Sequence, residues 1–143
     1  SVVVIDFGER LKSVLTSFMF SDISNSEVNF FTVNQWFDET LFNESALQNL
    51  HFPAIDFDKL KKFEKKYLEV FEKKSNQVSI LAYDALGLIY YCWLNNDNQF
   101  KTHQLYNKKG FKGLHGEFFI EGNSSKHLLK IYKVAEKKFL RVY

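Results

Sequence analysis

The chain has 143 residues, 45% of them hydrophobic and 17% aromatic, enough for one domain with a real core and incompatible with a disordered segment. Its 19 basic and 17 acidic residues leave a net charge of +2, so the charge balance gives no ground for a nucleic-acid partner or a membrane surface. No window offers the ~20 uninterrupted apolar residues of a membrane-spanning helix.

VVVI, Val2 to Ile5, is a run of β-branched residues and predicts a strand buried on both faces. The start SVVVIDFGERLKS lacks the basic opening and apolar length of a signal peptide. It opens inside an apolar run, so the chain is expected to be a fragment whose natural N-terminus, with any export signal, precedes Ser1. Asp6-Phe7-Gly8 is a turn signal. Leu11, Val14, Leu15, Phe18 and Met19 recur at helical spacing and predict a helix from Glu9 to about Phe20. After the polar SDISNSE, VNFFTV (Val28 to Val33) predicts a second strand. Strand, helix and strand in this order form a βαβ unit with parallel pairing.

Asn34 to Phe52 has no clean period and reads as loop or short helix. FPAID holds the only proline, Pro53, and reads as a short edge strand or a linker. Asp58 is the expected cap of an amphipathic helix whose apolar stripe is Leu60, Phe63, Tyr67, Val70 and Phe71. Its lysines alternate with Glu64, Glu69 and Glu72, the pattern of a solvated face rather than a nucleic-acid patch. Val78 to Leu94 is apolar nearly all round and predicts a central helix packed on several sides. Cys92, the single cysteine, lies within it; an internal disulfide and a cysteine-built zinc site are excluded, and a buried thiol is expected.

Four of the six glycines fall between Gly110 and Gly122. Gly116 is followed by Glu117 and two phenylalanines, not by the Lys-Ser/Thr and helix of a phosphate loop. Gly113-Leu114-His115-Gly116 has the spacing of an RNA-binding GxxG clamp but precedes a strand. A turn into a hairpin remains, with Gly122-Asn123 as the bend between GEFFIEGN and LLKIYKV. The four histidines have no i, i+4 ligand spacing, no serine lies in a nucleophile elbow, and no catalytic or metal-ligating set is expected. Asp84, in an apolar helix beside Tyr83, needs a partner; it either bonds nearby backbone or faces a ligand. Asp6, Phe7 and Gly8, and Asn34, Gln35 and Trp36, follow the first two strands, where parallel α/β sheets bind ligands.

The order of these parts resembles the C-terminal portion of type I periplasmic binding proteins, the branched-chain amino-acid receptor family. The resemblance rests on a βαβ unit ending in NQW, then LQNLHFPAID, FEKKYLEVF, ILAYDALGLIYY and GFKGLHGEFFIEGN…LLKIYKV. Tyr83-Asp84-Ala85 and Phe111, Gly113 and Gly116 stand where the family has its Tyr-Asp-Ala helix and Gly-x-x-Gly strand. QWFDETLFNESALQNLHFPAID is similar to the branch of penicillin-binding protein activator lipoproteins. The resemblance implies an α/β, three-layer fold. A mostly parallel sheet, built on the βαβ unit and flanked by helices, is followed by a C-terminal β-hairpin. It is part of a two-lobe structure. Residues 1–50 would belong to the second lobe, 51–98 to the first, and 110–143 would form the hairpin returning to the second.

The same resemblance implies a non-catalytic periplasmic module without a cofactor. It is either a lipoprotein regulator of peptidoglycan synthases, anchored at the outer membrane through the missing N-terminus, or an ABC-transporter receptor for amino acids or similar small polar compounds. Its partner would be a small polar ligand or the synthase. Ligand-contacting residues would be Asp6, Phe7, Gly8, Asn34, Gln35, Trp36, Tyr83 and Asp84. An acid often meets the ligand's ammonium group in the receptors; the second loop here has Asn34 and Gln35, and Asp38 comes only later. Apolar surface that the missing lobe would cover could also pair two copies as a dimer.

Overall fold

The computed structural model describes residues 1–33 and 37–143, with Gln77 described by its backbone alone. Among the described residues the regular elements are β1 (Val2–Val4), α1 (Gly8–Phe20), β2 (Phe30–Thr32), β3 (His51–Ala54), α2 (Phe57–Phe71), α3 (Gln77–Leu94), β4 (Phe111–Gly113), β5 (Gly116–Glu121), β6 (Ser124–Leu128), β7 (Lys130–Ala135) and β8 (Lys138–Arg141). They form two compact units, Ser1–Ala54 with Lys130–Tyr143, and Ile55–Leu129.

The first unit is an α/β layer on a mixed sheet of order β1-β2-β3-β7-β8. β1 and β2 run parallel in the register Val2↔Phe30 to Val4↔Thr32, with α1 as their crossover, as the βαβ reading predicts. The helix buries Leu11 and Leu15 completely, and Phe18 reaches Phe30 at 5.4 Å between ring centroids. Val14 and Met19, the flanks of the predicted stripe, are part-exposed. β3 joins β2 in parallel only through Phe31↔His51, so Pro53 lies past that pairing and its missing N–H breaks no ladder there. On its other side β3 pairs antiparallel with β7, which makes it an internal strand rather than the edge or linker read from FPAID.

Residues 37–50, which have no period in sequence, form two 3-10 turns (Glu39–Asn43 and Ser45–Leu47) that bury Leu41, Ala46, Leu47 and Leu50. Asn25 fastens the loop after α1 to them, its amide donating to the carbonyls of Ser45 (3.1 Å) and Gln48 (2.8 Å). Phe37 has φ +58°, a conformation strained for a bulky side chain. Its ring packs edge-on to Tyr132 (4.9 Å), Phe139 (5.2 Å) and the fully buried Phe52 (6.0 Å), contacts that offset the strain.

The second unit pairs two helices with the antiparallel sheet β4-β5-β6. The cap of α2 is Asp56, two residues before the expected Asp58; its Oδ1 accepts the N–H groups of Asp58 (3.1 Å) and Lys59 (3.2 Å). Asp56 is extended where the chain leaves the strand, so it can take the cap, and Asp58 falls in the first turn, where its charge suits the helix dipole. Asn76 caps α3 through Ser79 N–H at 2.8 Å. The helix α3 is not packed on several sides in this chain. Among the described side chains its sheltered positions are Ser79, Ile80, Asp84, Leu88 and Cys92, four of which form one i, i+4 stripe. Val78, Leu81, Leu86, Ile89 and Trp93, equally apolar, are exposed.

The glycine-rich stretch folds as a turn into a hairpin. Gly113↔Gly116 closes β4 on β5, and Gly122 (φ +59°) begins the bend that returns β6 along β5. The strand after that bend is Ser124–Leu128, not LLKIYKV as one piece. Residues from Lys130 onward join β3 in the other sheet, so sheet membership changes at Lys130. A second hairpin, β7–β8, follows, its bend made by Glu136 (φ +52°) and Lys137 (φ +58°). Neither residue is a turn-former by type, and so the sequence hides it.

Candidate functional site

In the first unit, the parallel register Val4↔Thr32 brings β1 and β2 to the same sheet edge with their C-terminal ends level. Asp6 follows there; its Oδ1 accepts the N–H of Phe7 at 2.9 Å, and its carbonyl accepts from the Thr32 hydroxyl at 3.4 Å. Gly8 has φ +52° with open space around its α-carbon, so the chain reverses from strand to helix on a residue without a side chain. Phe7 stands 58% exposed at this edge, an apolar ring available to a ligand or partner. Asn34, Gln35 and Trp36, expected beside it, lie outside the described residues. Asp38, just after them, caps the next turn: its Oδ1 accepts the Thr40 N–H (3.0 Å) and hydroxyl (2.8 Å).

In the second unit, Asp84 lies on the sheltered stripe of α3 and receives the Gly113–Gly116 turn. Oδ1 accepts the Leu114 N–H at 2.6 Å; Oδ2 accepts the His115 N–H at 2.8 Å and pairs with His115 Nδ1 at 2.9 Å. The two side chains are 9% and 5% exposed. Burial works to raise the Asp84 pKa. The bond from the His115 ring and the two backbone N–H groups outweigh it and hold the carboxyl below its ordinary range. Of the two roles open to Asp84 in sequence, the backbone-bonding one is the role its contacts fill. Tyr83, one residue earlier, is 59% exposed and packs edge-on to Phe63 at 5.2 Å.

Two concavities adjoin this contact. One, about 620 Å³, lies over Asp84, Gly87, Tyr91 and the Gly110–Leu114 segment. The other, about 590 Å³, is an apolar groove between α2 and α3 floored by Phe63, Tyr67 and Tyr83 and edged by Lys59, Lys62 and Lys66. Cys92 is buried beside Phe111 and Phe118, and burial pushes its thiol up, away from reactivity. Among the described residues, no group of three His, Cys, Asp or Glu side chains could hold a metal ion, and no helix is long and apolar enough to cross a membrane.

Sequence spacing missed the association of His115 with His127. The register Phe118↔His127 places His127 over the turn, with the two imidazoles 5.5 Å apart between centroids. Counting residues back and forward from the Gly122-Asn123 bend sets His127 opposite Phe118, but gives no sign that His115 in the preceding turn reaches it.

No family model and no curated protein matches the sequence. Solved structures do. The C-domain of LpoA from Haemophilus influenzae, a regulator of PBP1A, is 13% identical, with 99% of this chain and 44% of that one covered at a TM-score of 0.64. An extracellular ligand binding receptor from Desulfohalobium retbaense is 17% identical over 98% of this chain and 26% of its own, at 0.62. The leucine binding protein LivK from Thermotoga maritima is 15% identical over 99% and 43%, at 0.58. The chain spans less than half the length of each of these structures. At such identities the likeness concerns architecture, and the architecture is that of the type I periplasmic binding proteins.

Proposed function

We propose that this chain is part of a non-catalytic periplasmic module of the ligand-binding type that regulates a peptidoglycan synthase through protein contacts. The observation that carries this reading is the state of Asp38. In the receptors an acid often meets the ligand's ammonium group. The first acid after the second loop here is already bonded to the Thr40 N–H and hydroxyl as a turn cap. Asn34 and Gln35 supply amides instead. The likeness in fold to a regulator of PBP1A along 99% of this chain is compatible with this reading, as the equal coverage by a leucine binding protein is with the receptor reading. The exposed apolar side of α3 would then pack on the rest of the first lobe. The outer-membrane lipoprotein anchor belongs to this proposal as well.

The second reading, a receptor for an amino acid or similar solute, draws on Asp6 and the exposed Phe7 at the end of β1. There Asp6 would meet the ammonium group, and Phe7 the apolar part. A thermal-shift screen against amino acids and peptidoglycan fragments separates the two. A specific ligand at 100 times its dissociation constant stabilises the native state by ~2.7 kcal/mol. The regulatory reading expects no amino acid to shift the melting curve; a shift abolished by Trp36→Ala or Asp6→Asn would establish the receptor reading instead.

A further inference from the structure

The ring of His127 is held on three sides within the second unit. It stacks on Phe118 (5.5 Å between centroids, 21° between planes), meets His115 edge-on (5.5 Å, 62°), and has Nε2 3.1 Å from the Ser125 hydroxyl. Its other nitrogen, Nδ1, is buried with no hydrogen-bond partner among the described residues. Phe118 in turn belongs to the cluster with Phe111 and Cys92, so this stack joins β6 to the interior of the unit. His115 is bonded to Asp84 on α3, and the whole series runs from the helix, through the turn, to the outer strand of the sheet.

The charged groups around His127 are few. On α3 there is Asp84, whose oxygens already receive two backbone N–H groups and the His115 ring. On the β4–β5 turn there is His115 itself. On β5 the facing residue is Phe118, while the neighbouring Glu117 pairs with Lys112 of β4 at 3.4 Å. On β6 itself, Lys126 pairs with Glu121. From α2, Lys59 Nζ is directed to the Gly113 carbonyl at 3.4 Å. A proton added to His127 therefore has Nδ1 as its site or neighbour, buried and unpartnered, with a second imidazole alongside.

We propose that Asp84, His115 and His127 form an acid-released latch, in which proton uptake by His127 frees β6 and the Gly113–Gly116 turn from α3. Burial, and then the neighbouring His115, push the His127 pKa below the ordinary imidazole value, and Asp84 offsets this only in part. A histidine so lowered binds its proton less readily in the folded state than in the opened one. Its contribution to closure is present above the ordinary imidazole value and is lost as pH falls through the lowered one.

The test is an imidazole NMR titration of the whole chain, with amide hydrogen exchange of Gly116–Leu128 between pH 7.5 and 5, corrected for intrinsic rates. His127 is expected to titrate below the ordinary imidazole range. Protection of these amides is expected to fall by up to about tenfold per pH unit as it does so, the limit for one proton. His127→Asn is expected to flatten that fall, and His103→Asn, an exposed control, to leave it intact. A His127 titrating at or above the ordinary range would overturn the latch, as would wild-type protection that ignores pH. Both are read on the wild-type protein and stand even if the variant does not fold.

Discussion

Gly113 passes so close to Asp84 that a β-carbon on it would lie 2.6 Å from the carboxylate carbon. The glycine is there so that the backbone can present two successive N–H groups to one carboxylate. Gly113→Ala would push the turn off α3 and is expected to destabilise the protein by about 1–3 kcal/mol, as overpacking does. Gly87, on the same helix, has open space around its α-carbon, and Gly87→Ala is expected to stabilise by about 0.5–1 kcal/mol. Urea unfolding of the two variants reads the opposite signs directly.

Asp84→Asn keeps the shape and removes the charge. One amide oxygen then faces donors that two carboxylate oxygens received, and the NH2 group is turned toward an N–H or the imidazole. The expected loss is about 1–3 kcal/mol, the usual cost of an unsatisfied buried group. The pH dependence follows from the lowered Asp84 pKa: the folded state holds the charged form more firmly than the unfolded one. Its stabilisation is therefore present above the ordinary carboxylate value and disappears as pH falls through the lower folded value. Unfolding midpoints from pH 5 down to 2 should fall less steeply in Asp84→Asn than in the wild type.

In the first unit, Phe52 is completely buried and touches Phe37, Tyr132 and Phe139. Phe52→Ala is expected to cost about 3–5 kcal/mol, since transfer and cavity contributions add. The cavity would also release Phe37 from its positive φ, so loss of near-ultraviolet circular dichroism should accompany the lowered unfolding midpoint.

The bend between β7 and β8 offers a stabilising change. Glu136 and Lys137 both have positive φ, which costs a residue with a β-carbon roughly 1–2 kcal/mol. Asn-Gly at these positions suits a two-residue hairpin turn, and the double substitution is expected to raise the unfolding midpoint by an amount worth about 1 kcal/mol or more.

Legibility in the sequence followed the strength of each local pattern. The βαβ unit was readable because β-branched runs and a helical stripe alternate within a short span, and the Gly113–Gly116 turn because glycine there precedes a strand. Helix α3 was readable as a helix but not in its orientation. When nearly every position is apolar, periodicity cannot select the Ile80, Asp84, Leu88 and Cys92 stripe. Asp84, the polar exception, marked that stripe. The division of LLKIYKV between two sheets left no trace, because apolar residues, Leu129 before it and Ile131 after it, continue across the change. Likewise, Asp56 and Asp58 are both competent caps, and the extended backbone at Asp56 decides between them.

The central claim is that this module acts by contacting a peptidoglycan synthase. Sedimentation velocity of the chain mixed with a purified peptidoglycan synthase of the same organism tests it most directly. The account predicts a faster-moving complex that binds at micromolar concentration. Two independent boundaries at every ratio, up to ~100 times that concentration, would contradict it.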